Sequence, residues 1–225
     1  MKVENIIEAE NISYTYPDGT PGLNDFTGTI KKNTITLIEG DNGSGKSTLL
    51  NIFAGLLFPR GKIKIFGMEP KKNIKEIRKR TSILFQDPDD FLFNTTVINE
   101  LLYTPLHYGM PRKEAEKLAM ETAKEFRLED ILEKPPFRLS GGEKKRVALA
   151  CVFEMKPELV LLDEPTANID AKTRSEILEK IRNYSGTIVI STHDVSSVKD
   201  MVNNVFVLED KKLVKAISEI ETIEH

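Results

Sequence analysis

The segment from residue 34 to residue 53 constrains the fold of this chain more than any other. Apolar and β-branched residues at 34–38 run into Gly-Asp-Asn-Gly-Ser-Gly-Lys-Ser at positions 40–47, and helix-forming residues follow. This is the pattern G-x-x-x-x-G-K-[ST], which works only between a strand and a helix. Backbone N–H groups of such a loop surround phosphate groups. The segment therefore predicts an α/β fold with a nucleotide site at the end of a strand.

The chemistry of the loop residues gives them individual roles. Lys46 is predicted to reach the β- and γ-phosphates, and the hydroxyl of Ser47 to bind Mg²⁺. The residues predicted to contact the nucleotide here are Gly40, Asp41, Asn42, Gly43, Ser44, Gly45, Lys46, Ser47 and Thr48. A glycine-rich turn with a chance lysine is the structural alternative, and the strand–loop–helix context argues against it.

Two adjacent carboxylates follow the apolar run at residues 159–162. Asp163 stands where a strand would end, the position from which an aspartate orients Mg²⁺ and its waters. Glu164 comes next and can polarise an attacking water as a general base. A lone Asp-Glu pair would be read as a solvated turn, but its combination with the phosphate-binding loop favours a catalytic function.

Residues 139–143, Leu-Ser-Gly-Gly-Glu, predict the start of a helix with an unusual composition. Ser140 and Glu143 have the spacing of a capping box, in which each side chain bonds a backbone N–H of the other residue. Gly141 and Gly142 fit poorly, because each glycine weakens a helix by about 1 kcal/mol relative to alanine. Glycines at a helix N-terminus allow a phosphate to approach the positive end of the helix dipole.

Composition limits the classes of partner. The net charge of −3 and the pI near 5.8 give no electrostatic support for nucleic-acid binding. The single cysteine, Cys151, lies in an apolar stretch and is predicted to be a small buried hydrophobic residue. Residues 1–5 lack the apolar segment of a signal peptide, and no run of about 18 apolar residues exists. We therefore expect a soluble intracellular chain that reaches a membrane only through a partner.

The remaining sequence predicts an α/β core with a helical insertion. Strands are expected at residues 6–16, 34–38 and 62–67, and the apolar runs at 159–162 and 187–190 are typical of strands buried on both faces of a parallel sheet. Between Pro88 and Pro157 helical patterns dominate. The basic pair Lys71-Lys72 is expected on a solvated helix face.

These motifs together resemble the ATP-binding cassette (ABC) ATPases, and the resemblance covers nearly the whole chain in the expected order. It implies one ABC ATPase domain over residues 1–225, a P-loop NTPase of the α/β class. Such a domain has an N-terminal antiparallel β subdomain and an inserted α-helical subdomain, here roughly residues 88–157. The implied activity is ATP hydrolysis with Mg²⁺ as cofactor.

The resemblance also implies functions for four residues outside the main motifs. Tyr16 stands where the family stacks an aromatic ring on adenine, with Tyr14 as an alternative two residues earlier. Gln86 resembles the glutamine that contacts Mg²⁺ or water, and His193 the switch histidine that contacts the γ-phosphate. Asp170 belongs to a segment similar to the D-loop, which also lies near the nucleotide. Considered singly, each could instead be an ordinary core aromatic or a strand-end polar residue.

In the ABC family, residues corresponding to Ser140, Gly141 and Gly142 close over ATP held by a second chain. The resemblance therefore implies a dimer of two ABC ATPase chains, either two copies of this chain or this chain with a related one. Residues 86–93 and 144–158 are most similar to the energy-coupling factor type importers, which include cobalt and nickel uptake ATPases. This implies a transmembrane partner subunit, a position at the cytoplasmic face of the membrane, and a metal ion or vitamin as cargo.

Two other classes of ABC ATPase are alternatives. Chromosome and DNA-repair ATPases place a long coiled coil between the two motifs, whereas this chain has only a compact helical segment there. Translation-associated proteins usually carry two cassettes joined by a charged linker, and this chain has one cassette. Both differences favour the transporter subunit.

Overall fold

The computed structural model describes residues 4–218 of the chain. The strands are β1 (Asn5–Thr15), β2 (Pro21–Lys31), β3 (Ile35–Glu39), β4 (Arg60–Ile65), β5 (Thr81–Leu84), β6 (Leu159–Asp163), β7 (Thr187–Ser191), β8 (Asn204–Glu209) and β9 (Lys212–Ser218). The α-helices are α1 (Lys46–Phe53), α2 (Pro70–Arg80), α3 (Val97–His107), α4 (Arg112–Glu125), α5 (Gly141–Glu154), α6 (Ala171–Arg182) and α7 (Val195–Val198). Short 3₁₀ helices lie at Pro88–Asp90, Glu129–Ile131, Pro136–Arg138 and Lys199–Met201.

The larger sheet has six strands in the order β5-β6-β7-β3-β8-β9. Its first five strands are parallel, and β9 is antiparallel to β8. Every residue of β6 and β7 is buried, as the uninterrupted apolar runs predict for strands covered on both faces. Because the strands are parallel, their carboxyl ends lie along one edge of the sheet.

The smaller sheet has three antiparallel strands in the order β2-β1-β4. Its buried residues belong to the same apolar cluster as α1 and one face of the large sheet, which includes Ile7, Phe26 and Phe53. The two rings Phe26 and Phe53 pack edge to face with their centroids 6.1 Å apart. The expected α/β class, with an antiparallel sheet beside the core, is confirmed.

The regular elements between Pro88 and Glu154 are α3, α4, α5 and three 3₁₀ helices. They share a second apolar cluster with the opposite face of the large sheet, built around Val97, Ala119 and Leu162 among others. Alanines at 115, 119 and 123 are fully buried on α4, so that helix can pack closely against its neighbours. The helical pattern in this part of the sequence is thus reproduced.

Several smaller expectations are also met. Cys151 is buried within the helical cluster, and Lys71 and Lys72 are exposed on α2. In the described range 4–218, no helix combines the length and the apolar composition that crossing a bilayer requires. Residues 1–3, part of the segment that lacks signal-peptide character, and His225 lie outside the described residues.

Replacing a central sheet residue tests the packing. Ile190→Ala, in the fully buried strand β7, should lower the free energy of unfolding by about 2–5 kcal/mol, because it leaves a cavity between two packed layers. Val214→Ala on β9, where the side chain is 52% exposed, should change it by less than about 0.5 kcal/mol. Urea unfolding followed by circular dichroism gives both values, and equal effects would contradict the described packing.

Candidate nucleotide-binding and catalytic site

Four neighbouring parallel strands deliver the predicted site residues to one edge of the sheet. The phosphate-binding loop follows β3, and Gln86 follows β5 by two residues. Asp163 ends β6, and His193 follows β7 by two residues. In register, Asp163 lies beside Ser191, which in turn lies beside Ile38 of β3. The structure therefore brings all four segments together at the carboxyl edge, where open α/β sheets bind ligands.

The loop at 40–47 has the conformation that its glycines permit. Gly40 and Gly45 have φ values of +151° and +105°, which disfavour side chains. A Cβ at Gly40 would lie 2.3 Å from the carbonyl oxygen of Leu208, and one at Gly45 would lie 2.8 Å from that of Gly22. These two positions exclude any other residue, so the glycines of the motif are needed for folding as well as for phosphate access.

Lys46 is the first residue of α1, and its side chain turns back over the loop. Its Nζ donates hydrogen bonds to the carbonyl oxygens of Gly40 at 2.6 Å and Asp41 at 3.0 Å. The buried hydroxyl of Ser44 has no hydrogen-bond partner among the described residues. Ser47, the residue after Lys46, is exposed. The loop thus presents an ammonium group, two hydroxyls and backbone N–H groups around one small region.

Tyr16 lies directly after β1 and contacts the helix that carries the loop. Its hydroxyl is 2.9 Å from Oγ1 of Thr48, the residue after Ser47. Tyr14 packs edge to face against Tyr16 with ring centroids 5.1 Å apart, and it is partly buried against the apolar cluster of the small sheet. Of the two candidates for an adenine platform, Tyr16 is the one joined to the phosphate-binding helix.

Asp163 and Glu164 are both buried, at 7% and 5% exposure. The hydroxyl of Ser191 donates to the carboxylate of Asp163, which fixes the aspartate against the neighbouring strand. Glu164 has φ of +46°, in the left-handed region that β-carbon-bearing residues seldom adopt. Its N–H donates to the carbonyl of Ser191 at 3.0 Å. This backbone turn separates the two adjacent side chains and gives each its own surroundings.

The carboxylate of Glu164 is held by the segment that follows β7. It accepts hydrogen bonds from the Thr192 hydroxyl and from the backbone N–H of His193, both at 3.1 Å. Nδ1 of His193 lies 3.0 Å from the same carboxylate, while 71% of the His193 side chain remains exposed. A cavity of about 600 Å³ opens beside these residues and extends along residues 166–169. The predicted base and the predicted switch histidine are therefore in direct contact.

Lys145 is a residue of this site that the sequence did not reveal. It is 3% exposed, and its Nζ donates to the carbonyl oxygens of Gln86 at 2.9 Å and Glu164 at 3.3 Å. Burial lowers the pKa of its ammonium group. The sequence shows it only as the middle of a basic triplet on a helix, a pattern typical of solvated residues. The structure instead makes it a link from α5 to the segments after β5 and β6.

The predicted capping box at the start of α5 is confirmed. The hydroxyl of Ser140 accepts from the N–H of Glu143 at 3.3 Å, and the Glu143 carboxylate accepts from the Ser140 N–H at 2.8 Å. The backbone N–H and the hydroxyl of Ser140 both donate to the Glu143 carboxylate, and these two bonds lower the pKa of Glu143. No described atom lies within 4 Å of a Cβ built on Gly141, and for Gly142 only the Asp170 carboxylate does, at 3.8 Å. Packing within the chain therefore does not explain the two glycines.

Asp170 has a structural function that its place in the D-loop-like segment did not indicate. It is the N-cap of α6, and its Oδ1 accepts from the N–H groups of Lys172 and Thr173, both at 3.0 Å. Its Oδ2 accepts from the Thr173 hydroxyl at 2.6 Å. An aspartate immediately before a helical stretch is a recognised N-cap signal, so this contact could have been found from the sequence.

The donor set at the edge suits Mg²⁺. Ser47, Asp163 and Gln86 offer a hydroxyl, a carboxylate and an amide oxygen, and hard divalent cations prefer such oxygen ligands. One oxygen of Asp163 is engaged by Ser191, which orients the carboxylate. Within residues 4–218, no cluster of three or more His, Cys, Asp or Glu side chains could hold a metal by itself. A cation here would thus depend on phosphate oxygens and water for its remaining ligands.

The geometry defines a class of protein. A glycine-rich loop with its lysine, an ordered aspartate and a buried, hydrogen-bonded glutamate on adjacent parallel strands are the parts of a P-loop nucleoside triphosphatase. Residues 23–167 match the family model described as "ABC transporter". The chain belongs to this family, and it binds ATP and is an ATPase.

Relatives with similar sequences span most of this chain. A putative ABC transporter ATP-binding protein of Archaeoglobus fulgidus is 46% identical over 213 residues, covering 94% of this chain and 90% of that protein. An energy-coupling factor transporter ATP-binding protein, EcfA, of Methanocaldococcus jannaschii is 40% identical over 231 residues, covering 97% of this chain and 83% of that protein. The expected resemblance to the energy-coupling factor branch is confirmed.

Solved structures share the whole fold. CbiO1 of Clostridium perfringens, described as part of the ABC transporter complex CbiONQ, superposes with a TM-score of 0.82 at 35% identity, covering 96% of this chain and 89% of that one. A dimeric ATP-binding cassette in a post-hydrolysis state with ADP and Pi gives a TM-score of 0.86 at 26% identity, covering 94% and 98%.

The contacts of Lys145 lead to a prediction for catalysis. Lys145→Met keeps the length of the side chain but removes both hydrogen bonds, so Glu164 loses one support of its strained backbone. We expect kcat for ATP hydrolysis to fall by about tenfold to a hundredfold, since small misplacements of a catalytic group have effects of this size. The dissociation constant for ATP, measured by calorimetry, should change less than about threefold.

The neighbouring lysine provides the control. Lys144 makes an ion pair with Asp89 at 2.6 Å, and 62% of the Asp89 side chain is exposed. Exposed pairs contribute about 0–1 kcal/mol, so Lys144→Met should change kcat by no more than about twofold. Equal losses in the two variants would show that Lys145 has no particular function in positioning Glu164.

Proposed function

We propose that this chain is the ATP-hydrolysing subunit of an energy-coupling factor type importer and energises a transmembrane partner that admits a metal ion or a vitamin. One observation carries the proposal. The chain holds a phosphate-binding loop and a buried, hydrogen-bonded Asp-Glu pair at one sheet edge, and it also presents a capped helix N-terminus at which Gly141 faces open space and Gly142 meets only the Asp170 carboxylate. Similarity to EcfA and CbiO1 supports the importer class.

ATP would bind across the carboxyl edge of the large sheet. Tyr16 would stack on the adenine, since it is fixed beside the loop by Thr48. The N–H groups of residues 41–48 would surround the phosphates, and Lys46 would exchange its bonds to the loop carbonyls for bonds to the β- and γ-phosphates. The positive end of α1 adds to the attraction for the phosphate charge.

Ser47, Gln86 and Asp163 would hold Mg²⁺ beside these phosphates. When bound, the cation would neutralise negative charge on the β- and γ-phosphate oxygens. Ser191 supports this arrangement by holding the Asp163 carboxylate toward the edge.

Glu164 would act as the general base for the attacking water. The Thr192 hydroxyl and the backbone N–H of His193 hold its two carboxylate oxygens, and the residue lines the cavity in which the water would be bound. His193 is largely exposed, and its ring could turn from Glu164 toward the γ-phosphate. Asp170 would keep the D-loop in place by capping α6, next to Gly142.

The signature residues Ser140, Gly141 and Gly142 would act on the nucleotide of a second ABC ATPase chain. The N-terminus of α5 offers its free N–H groups and the positive end of its dipole to the γ-phosphate of that chain. Missing side chains at 141 and 142 would let the partner's nucleotide come within contact distance. Each chain of the dimer would thus complete the site of the other.

A transmembrane subunit would dock beside the segment after β5, and this chain would then lie at the cytoplasmic face of the membrane. Phe93 is 67% exposed and packs edge to face on Tyr103, which is 46% exposed, with centroids 4.9 Å apart. Asp89 and Asp90, four and three residues before Phe93, are also exposed. Phe91 and Leu92 point inward and pack in the helical cluster instead. Exposed aromatic pairs of this kind are characteristic of interaction sites.

Removing the charge of the proposed base should separate binding from hydrolysis. Glu164→Gln keeps the shape of the side chain and one of its two acceptor oxygens, the one facing the His193 N–H or the one facing the Thr192 hydroxyl, but it cannot accept a proton from water. We expect kcat to fall by at least about a hundredfold while ATP still binds. Size-exclusion chromatography with light scattering should show an ATP-dependent dimer that persists. A variant that hydrolyses ATP normally, or stays monomeric with saturating ATP, would contradict this mechanism.

A methyl group added at position 141 should test whether two chains share one nucleotide site. Gly141→Ala adds a Cβ that meets no described atom within the chain, and alanine suits a helix better by up to about 1 kcal/mol. Thermal stability should therefore be equal or higher. ATP-dependent dimerisation and hydrolysis should nevertheless fall by about tenfold or more, because the methyl group blocks the approach of a partner's phosphate.

Lys113→Ala, an exposed first-turn substitution on α4, is the matched control and should change neither quantity. Loss of thermal stability in Gly141→Ala would show that the glycine serves folding, and full activity would show that position 141 does not face a nucleotide.

The membrane partner can be tested by co-purification. Tagged wild-type chain expressed in its own host should retain integral membrane proteins in detergent, and Phe93→Ala should retain several-fold less while keeping its ATPase activity. Lys62→Ala, at an exposed position on β4 of the small sheet, is the control and should retain as much membrane protein as wild type. Retention of ribosomes or DNA in place of membrane proteins would favour the soluble, non-transport alternative.

A further inference from the structure

A cleft of about 740 Å³ lies away from the nucleotide site. It is formed by α4, the end of α5 and α6, and by residues that precede strands of the large sheet. Pro157 and Glu158 come just before β6, and Gly186 just before β7. The cleft therefore lies at the amino edge of the parallel sheet, whereas the nucleotide residues lie at the carboxyl edge.

Glu154, the last residue of α5, lines this cleft and has no partner for its charge. The residue is only 5% exposed, and both carboxylate oxygens are buried without a hydrogen bond from any described residue. A buried polar group without a partner is costly, and native proteins rarely contain one without a reason. Both oxygens are closed to solvent, so a ligand in the cleft can reach them only when the Glu154 side chain turns toward it. An unpartnered carboxylate at the wall of a cleft favours a ligand that donates hydrogen bonds and stabilises that turn.

Two of the cations around the cleft are paired with other carboxylates. Lys180 pairs with Glu125 at 2.6 Å, and Arg127 pairs with Glu176. The guanidinium of Arg146 donates to the carbonyl of Arg127 at 3.4 Å, and its Nε is buried without a hydrogen-bond partner among the described residues.

The remaining charged groups of the lining form no ion pair with Glu154. Glu121, Lys156 and Glu179 are exposed at the rim, and Glu158 pairs with Arg80 at 2.7 Å. Lys32 lies 3.9 Å from the same Glu158 carboxylate. In residues 4–218 no lysine, arginine or histidine forms an ion pair with Glu154, so a positive charge would have to come from outside the chain.

Aromatic rings form the apolar wall next to Glu154. Phe126 and Phe153 stack with centroids 6.3 Å apart, and Phe153 meets Tyr184 edge to face at 5.0 Å. Lys180 already lies over Phe126, 5.2 Å from the ring centroid. The faces of aromatic rings attract cations, and the combination of rings with a carboxylate is how proteins bind organic ammonium groups.

We propose that this cleft is a binding site for a small organic cation, with its ammonium or guanidinium group paired to Glu154 and its apolar body against Phe126, Phe153 and Tyr184. The volume lies within the range of about 300–1,000 Å³ that small-molecule pockets occupy. The site is separate from the ATP site, so it does not depend on the proposed transport function.

Binding of such a cation is coupled to proton release. Burial raises the pKa of Glu154 to about 8, so its carboxyl is mostly protonated at pH 7. A cation pairs with the ionised form, and about one proton must therefore leave when it binds at neutral pH. Affinity should rise about tenfold per pH unit up to pH 8 and level off above it.

The test uses calorimetry on the full chain with three probes: phenethylammonium, putrescine and agmatine. We expect at least one to bind at pH 8 with a dissociation constant below about 1 mM, and 2-phenylethanol, the neutral counterpart of the first, to bind at least tenfold more weakly. Titrations in buffers of different ionisation enthalpy should show release of nearly one proton at pH 7.

Variants assign the effect to Glu154. Glu154→Gln should weaken binding at least tenfold and remove both the proton release and the pH dependence. Glu154→Leu, which fills the same space without a polar group, should do the same and serves if the glutamine variant folds poorly. Glu121→Gln, at the exposed rim, should leave affinity within twofold. The proposal is overturned if no probe binds, if the neutral alcohol binds equally, or if Glu154→Gln binds as wild type.

Discussion

Backbone hydrogen bonds between β3, β7, β6 and β5 fix the relative positions of the groups that we propose to act on ATP. Parallel pairing places the end of each strand at the same edge, so the loop at 40–47, Gln86, Asp163 and His193 converge although up to 150 or so residues separate them. A shift of register between β6 and β7 would separate Asp163 from Ser191, whose hydroxyl donates to the Asp163 carboxylate. Catalytic geometry in this chain is thus a property of the sheet.

Features that depend on residues close together in the sequence are predicted correctly. Burial by elements that are distant in the sequence is not predicted. The loop motif, the two fully apolar strands and the capping box of Ser140 and Glu143 are each complete within a few residues, and the structure reproduces them. Lys145 and Glu154 carry charge on a helix, which locally predicts exposure, yet both are buried by elements distant in sequence. The contacts of the site residues with ATP and Mg²⁺ remain predictions, because they involve groups beyond the chain.

Helix α5 connects three different environments along its 14 residues, a length of about 21 Å. Its first turn presents Ser140 and two glycines at the surface, its second turn sends Lys145 beneath the catalytic glutamate, and its last residue is Glu154 in the cleft. A helix is stiff over this length, so displacement of one end moves the others. A displacement of Ser140 and the two glycines would therefore move Lys145, and through it Glu164, because α5 connects them.

The strand order determines when the large sheet can form during synthesis of the chain. Both neighbours of β3 in the sheet, β7 and β8, lie beyond residue 186, so the strand that carries the phosphate-binding loop has two unpaired edges for most of synthesis. Contacts between distant segments form slowly, and unpaired apolar strands are prone to aggregate. The small sheet of β1, β2 and β4 is complete by residue 65 and packs with α1. It can therefore shelter the nascent loop helix until β7 and β8 are synthesised.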